Sequence, residues 1–106
     1  MIVRTWSGRV PVAHAEGFHA HLLATGVADY RKHSGCCDVR LWRRDDADVA
    51  IFTLVSLWTD MDAIRAYAGE APETAVLYPE DEAFELVPDR IVEHHLLLLA
   101  DPGVEA

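Results

Sequence analysis

The sequence predicts an α+β fold of the ferredoxin-like kind: a βαββαβ order, a four-stranded antiparallel sheet, and both helices on one face. Two observations predict it. Segments of strand and helix character alternate in that order along the chain. The third strand is apolar on both of its faces, so the sheet needs a second cover that two helices on one side cannot give.

The elements justify themselves in turn. "IVRTWSGRV" is rich in β-branched and aromatic residues and reads as the first strand. Pro11 suits the first turn of a helix. From Val12 to about Lys32 the residues Val12, Ala15, Phe18, Leu22 and Gly26 recur at helical spacing, which predicts one long amphipathic helix loosened at Gly26. Gly35 ends it. "CCDVRLWRR" alternates, with Cys37, Val39 and Leu41 on one side and Arg40 and Trp42 on the other. "DDAD" is a turn, and "VAIFTLVSLW" closes a hairpin. Asp60 caps a helix "MDAIRAYAG" that stops at Gly69. "DRIVEHHLLLLA" is the last strand. The chain reads as one domain over residues 1–100 with a tail over 101–106.

On the third strand Val49, Ile51, Thr53, Val55 and Leu57 share one face, and Ala50, Phe52, Leu54, Ser56 and Trp58 the other. Exposing either face would be costly at about 25 cal/mol per Å² of apolar area. The simplest cover is a second copy packed sheet to sheet about a two-fold axis, so a homodimer with a shared barrel is expected.

The net charge of −9 opposes a nucleic-acid partner and an anionic membrane surface. No apolar run is long enough for a signal peptide or a membrane span, which predicts a cytoplasmic protein. Adjacent Cys36 and Cys37 have neither disulfide geometry nor zinc spacing. No set of histidines has the spacing of a metal site, so no metal is expected.

The words "MIVRTWSGRVP", "TGVADYRKHSG", "LWRRDD", "SLWTDMDAIRAYAG", "AVLYPEDEAF" and "VEHHLL" resemble the antibiotic biosynthesis monooxygenase family across nearly the whole chain. The resemblance implies a dimeric α+β barrel. Studied relatives include cofactor-free monooxygenases of aromatic polyketides and haem-degrading proteins. The haem degraders pair an asparagine on the first strand with a tryptophan and a histidine on the helical segment. This chain has Ser7, Tyr67 and Leu77 or Tyr78 near those positions, and it contains no asparagine, so the set described for the polyketide oxidisers is incomplete too.

The segment between the second helix and the last strand, "AYAGEAPETAVLYPEDEAFEL", is long for a structureless connection, and such loops often serve function. Pro72 and Pro79 suit short helical turns, and Glu73, Glu80 and Asp81 read as solvated turn residues. A ligand pocket is expected here, roofed by Tyr67, Tyr78 and Phe84, floored by Thr5 and Ser7, and bordered by Trp58; plain core filling fits the same residues. His94 is the candidate general base, a satisfied core histidine being the alternative. Arg4 shares a face with Trp6, and Arg40 with Trp42; if both pairs face the dimer interior they form an interface device, an anion-binding lumen being the alternative.

The expected function is cofactor-independent monooxygenation of a small aromatic or apolar molecule, ionised by His94 and held by Tyr67 and Tyr78, with no cofactor. The alternatives are a non-catalytic ligand-binding or stress-associated protein on the same scaffold, and haem binding through His94 or a first-helix histidine.

Overall fold

In the computed structural model, which describes residues 1–101, the chain forms strand β1 (Ile2–Pro11), helices α1 (Ala15–Ala24) and α2 (Gly26–Arg31), strands β2 (Cys36–Asp46) and β3 (Val49–Trp58), helix α3 (Met61–Ala68), and the short strands β4 (Val87–Pro88) and β5 (Glu93–Leu96). All but Asp101 of the expected tail lies outside the described residues. Single 3-10 turns at Val12–His14 and Pro79–Phe84 complete the set. The sheet runs β2-β3-β1, with β4 and β5 both on the outer edge of β1, and every pairing is antiparallel. The fold is therefore the expected ferredoxin-like α+β arrangement.

Two expectations are corrected. The single helix is two helices with a break at Thr25, where ψ is −87°. The Thr25 hydroxyl donates to the His21 carbonyl at 2.8 Å, a local bond that bends helices. The fourth strand is split. Pro88 has no N–H to extend the ladder. Asp89 N–H donates to Ser7, but Val92 N–H donates to Glu73, and Thr74 bridges Ile91. The chain thus leaves β1 to pair with the connector before returning as β5.

The local signals otherwise act as written. The β2–β3 hairpin turns through Ala47, at φ 53°. The Asp60 carboxylate accepts the Ala63 N–H at 2.8 Å and caps α3, which ends at Gly69 with φ 89°. Gly35 is required by close approach, because a Cβ there would lie 2.4 Å from Ala63 Cβ.

The core lies between sheet and helices. Trp6, Val10, Phe52, Leu54 and Trp58 meet Ala15, Phe18 and Leu22 of α1, Val27 and Tyr30 of α2, and Ile64 of α3. Phe18 and Phe52 pack edge to face with centroids 5.3 Å apart. The opposite face of the sheet carries Val3, Thr5 and Ser7 beside Val49, Ile51, Thr53, Val55 and Leu57, and no element of the described chain covers it. The double-faced reading of β3 therefore holds: its even-numbered residues are buried and its odd-numbered ones half-buried. Arg40 and Trp42 register with Val55 and Thr53 on that open face, whereas Arg4 and Trp6 are buried under the helices. Each pair shares a face, as alternation requires, but the two pairs do not both face the expected dimer interior. They occupy opposite sides of the sheet, because β1 registers Arg4 with Ser56 and Trp6 with Leu54.

Candidate functional site

Alternation along β1 and β5 decides what reaches the space beneath the connector. Arg4 and His94 are register partners, so both point to the helix side. Arg4 is 1% exposed. Its Nη1 donates to the Pro72 carbonyl and lies 2.9 Å from His94 Nε2. The guanidinium carbon stands 5.8 Å over the Tyr67 ring. Burial, and then the Arg4 charge, push the His94 pKa below its ordinary value of 6.5. The lowered pKa favours the neutral imidazole of His94.

An aromatic stack holds Tyr67 at the end of α3. Tyr30 meets Tyr67 and Trp58 edge to face, with centroids 4.7 and 5.5 Å away, and Trp58 lies 5.9 Å from Tyr67. Tyr78 donates its hydroxyl proton to the Asp29 carboxylate on α2, and the Tyr67 hydroxyl interacts with that of Tyr78. Burial, followed for Tyr78 by its bond to Asp29, lifts both phenols well above the ordinary tyrosine range. The Tyr78 hydrogen bond, the largest cause, holds Asp29 below its usual carboxylate value. The relay thus stays protonated and ends on an anion at the surface.

A second pairing pins the connector to α1. His21 Nε2 lies 2.6 Å from Asp81 Oδ1, with side chains 10% and 12% exposed, and Asp81 Oδ2 accepts the Tyr78 N–H at 2.9 Å. Asp81 is not the solvated turn residue expected from sequence; it ties His21 to the turn at Pro79.

Between these groups lies a chamber lined by Arg4, Trp6, Phe18, Tyr30, Tyr67 and Tyr78, among others. Its void is about 30 Å³. That volume holds a water or two and no more. The open pocket expected from sequence is therefore nearly closed by Val76, Leu77 and Tyr78.

The structure brings Tyr67 and Tyr78 together at this chamber and sets His94 beside it through Arg4. Thr5 and Ser7 do not join them. Both belong to the open face, where Ser7 Oγ pairs with Thr53 Oγ1 at 3.0 Å, and the floor is built by Arg4 and Trp6 instead. Trp58 is fully buried beneath Tyr67, its Nε1 donating to Ser56 at 2.8 Å. Phe84 packs against His21, with centroids 5.0 Å apart, on the α1 side of the connector. Asp29 is a site residue that sequence reasoning missed; it reads Asp81 as solvated, weighs Arg4 only for the dimer interior, and covers His21 only as one of the first-helix histidines that could hold haem. Alternation marks Arg4 as a residue sharing the face of Trp6; nothing local ties Tyr78 to Asp29 across 49 positions.

The family model for antibiotic biosynthesis monooxygenase matches residues 1–72. No functionally curated protein matches the chain in sequence. Among solved structures, a candidate antibiotic biosynthesis monooxygenase from Deinococcus radiodurans is similar with a TM-score of 0.69 at 13% identity, over 99% of this chain and 100% of that one. A variant of MhuD with two manganese protoporphyrin IX molecules bound per active site has a TM-score of 0.67 at 16% identity, over 97% and 100%. SnoaB, a cofactor-independent oxygenase from Streptomyces nogalater, has a TM-score of 0.61 at 20% identity, over 94% and 97%. At these identities the likeness is one of fold.

Proposed function

Since the chain belongs to the antibiotic biosynthesis monooxygenase family, we propose that it is a cofactor-independent monooxygenase of a small aromatic or apolar molecule, working as a homodimer. The observation that carries this reading is the apolar chamber lined by Arg4, Tyr67 and Tyr78, with His94 bonded to Arg4 behind it. The dimer follows from the open apolar face of β1 and β3, with Trp42 exposed at its edge.

The substrate enters by displacing the connector over residues 70–78. That segment is held to the fold by few bonds: Arg4 to Pro72, the Thr74–Ile91 bridge and its neighbouring backbone bonds, and Tyr78 to Asp29. As the connector moves, Arg4 loses Pro72 and turns from His94 to the substrate, and the freed His94 Nε2 takes a proton from an activated methylene flanked by aromatic rings. The resulting carbanion passes electrons to O₂. One oxygen atom forms the product carbonyl and the other leaves as water with the two methylene hydrogens. The substrate supplies all four electrons, so no external reductant is needed. Once the connector's displacement breaks the Tyr78–Asp29 bond, the Tyr67 and Tyr78 hydroxyls are free to donate to the substrate oxygen.

Of the candidate haem ligands, His21 Nε2 faces Asp81 and His14 Nε2 faces Glu85, so haem binding through those two is not favoured.

The test is oxygen uptake with anthrone, measured with an electrode alongside anthraquinone formation. Wild type consumes one O₂ per anthrone, and His94→Ala or Tyr78→Phe abolishes the reaction. Absence of uptake by wild type, or full rates in both variants, ends this reading.

A further inference from the structure

We propose that the ligand of this chamber carries a carboxylate and that Arg4 binds it. The inference rests on the reading of the chamber as a ligand site, and it concerns charge, which oxygenation alone does not specify. Arg4 is 1% exposed and lines the void. Guanidinium does not lose its proton in proteins. A buried charge is costly unless it is paired.

Every partner of Arg4 is neutral: the Pro72 carbonyl, the His94 lone pair and the Tyr67 ring face. Its Nε is buried with no hydrogen-bond partner. None of the ion pairs among the described residues includes it. The nearby acids are engaged elsewhere. Asp81 holds His21 and the Tyr78 N–H, and Asp29 holds Tyr78 and Lys32. Glu73 is solvent-exposed. Among the described residues no acid pairs with Arg4, the Glu73 charge acting on its neighbour His94 only through space, and the ligand supplies the missing partner.

The free Nε edge of a planar guanidinium matches the planar fork of a carboxylate. A single cation suits a monoanion better than a phosphate dianion. The walls formed by Trp6, Phe18, Leu54 and Val92 are apolar, so the body of the ligand is aromatic or aliphatic. The class is a small aromatic or apolar monocarboxylic acid.

The probes are benzoate and benzamide, which share a ring and differ in charge, followed by tryptophan fluorescence because Trp6 lines the chamber. Wild type binds benzoate saturably and at least tenfold more tightly than benzamide. Arg4→Met removes the preference, whereas Arg40→Met on the open face keeps it. Should Arg4→Met not fold, Arg4→Lys serves: it keeps charge without the fork, and binds benzoate more weakly than wild type but still more tightly than benzamide. Equal binding of the two probes by wild type overturns the proposal. So does wild-type benzoate affinity in Arg4→Met, or no saturable benzoate binding up to about 10 mM. The anthrone assay reads turnover and this one reads charge preference, so either can fail while the other stands.

Discussion

Arg4 Nη1 lies 2.9 Å from His94 Nε2 across the β1–β5 pair. Arginine only donates, so His94 Nε2 accepts and its proton sits on Nδ1. This fixes the tautomer and disfavours the imidazolium, which would bring two cations together. The pair therefore couples the charge of a buried arginine to the basicity of the residue beside it.

The first prediction concerns pH. The His94 pKa is lowered in the folded chain from 6.5, by burial first and Arg4 second. As pH falls below 6.5, the unfolded chain takes up a proton that folded His94 refuses, so stability is lost through that window. His94→Gln, which keeps an acceptor for Arg4, removes this contribution. Its melting temperature relative to wild type should rise as pH drops from about 7.5 to about 5. Parallel melting curves across that range would contradict the placement of His94.

The tyrosine relay gives the second. Tyr78→Phe deprives Asp29 of its donor and removes the hydroxyl beside Tyr67. A loss of about 1–3 kcal/mol is expected from chemical denaturation. Tyrosine ionisation followed by ultraviolet absorbance should lag in native wild type relative to the unfolded chain, because both phenols are pushed above 10. Asp29→Asn should advance it by releasing Tyr78. Identical titration of the native and unfolded chains would show the relay absent.

How far the sequence reached is explained by range. The caps and turns were legible because their causes are local: Asp60 and Ala63 stand three residues apart, and Gly69 adopts the positive φ its place requires. The two faces of β3 were legible because side chains alternate along any strand. The phase of β1 was not used in the same way. Alternation groups Arg4 with Trp6 but does not say which set floors the pocket, and a one-residue offset in strand phase moves Thr5 and Ser7 from that floor to the other face. His21–Asp81 and Asp29–Tyr78 join positions 60 and 49 apart, and only the folded connector brings them together.

Gly8 offers the third prediction. It lies on β1 next to the chamber floor, and a Cβ there would stand 2.4 Å from the Trp6 ring and 2.9 Å from Leu86. The indole is anchored by its Nε1–H bond to the Asp89 carbonyl at 2.9 Å, so it cannot yield freely. Gly8→Ala should cost about 1–3 kcal/mol by overpacking. Gly26→Ala, whose Cβ would meet Leu54 at an ordinary 3.8 Å, should cost little. Equal denaturation midpoints for the two variants would refute the packing at Trp6.

The fourth concerns assembly. Val55 sits on the central strand β3, opposite Thr5 on one side and Arg40 on the other, on the face the helices leave bare. Around it lie Val3, Ile51 and Leu57, and Trp42 at the edge is 54% exposed. A stable interface buries roughly 800 Å² on each partner, with an apolar centre and a polar rim. The open face supplies both, its rim carrying Arg9, Arg40, Glu93 and His95. Sedimentation equilibrium at micromolar concentration should give a dimer for wild type. Val55→Lys places an ammonium at the centre, where desolvating it without a partner opposes association. The variant should sediment as a monomer with its circular dichroism unchanged, because Val55 does not enter the helix-side core. A monomeric wild type would remove the dimer from the proposed function and leave the Arg4–His94 chamber to stand on one chain alone.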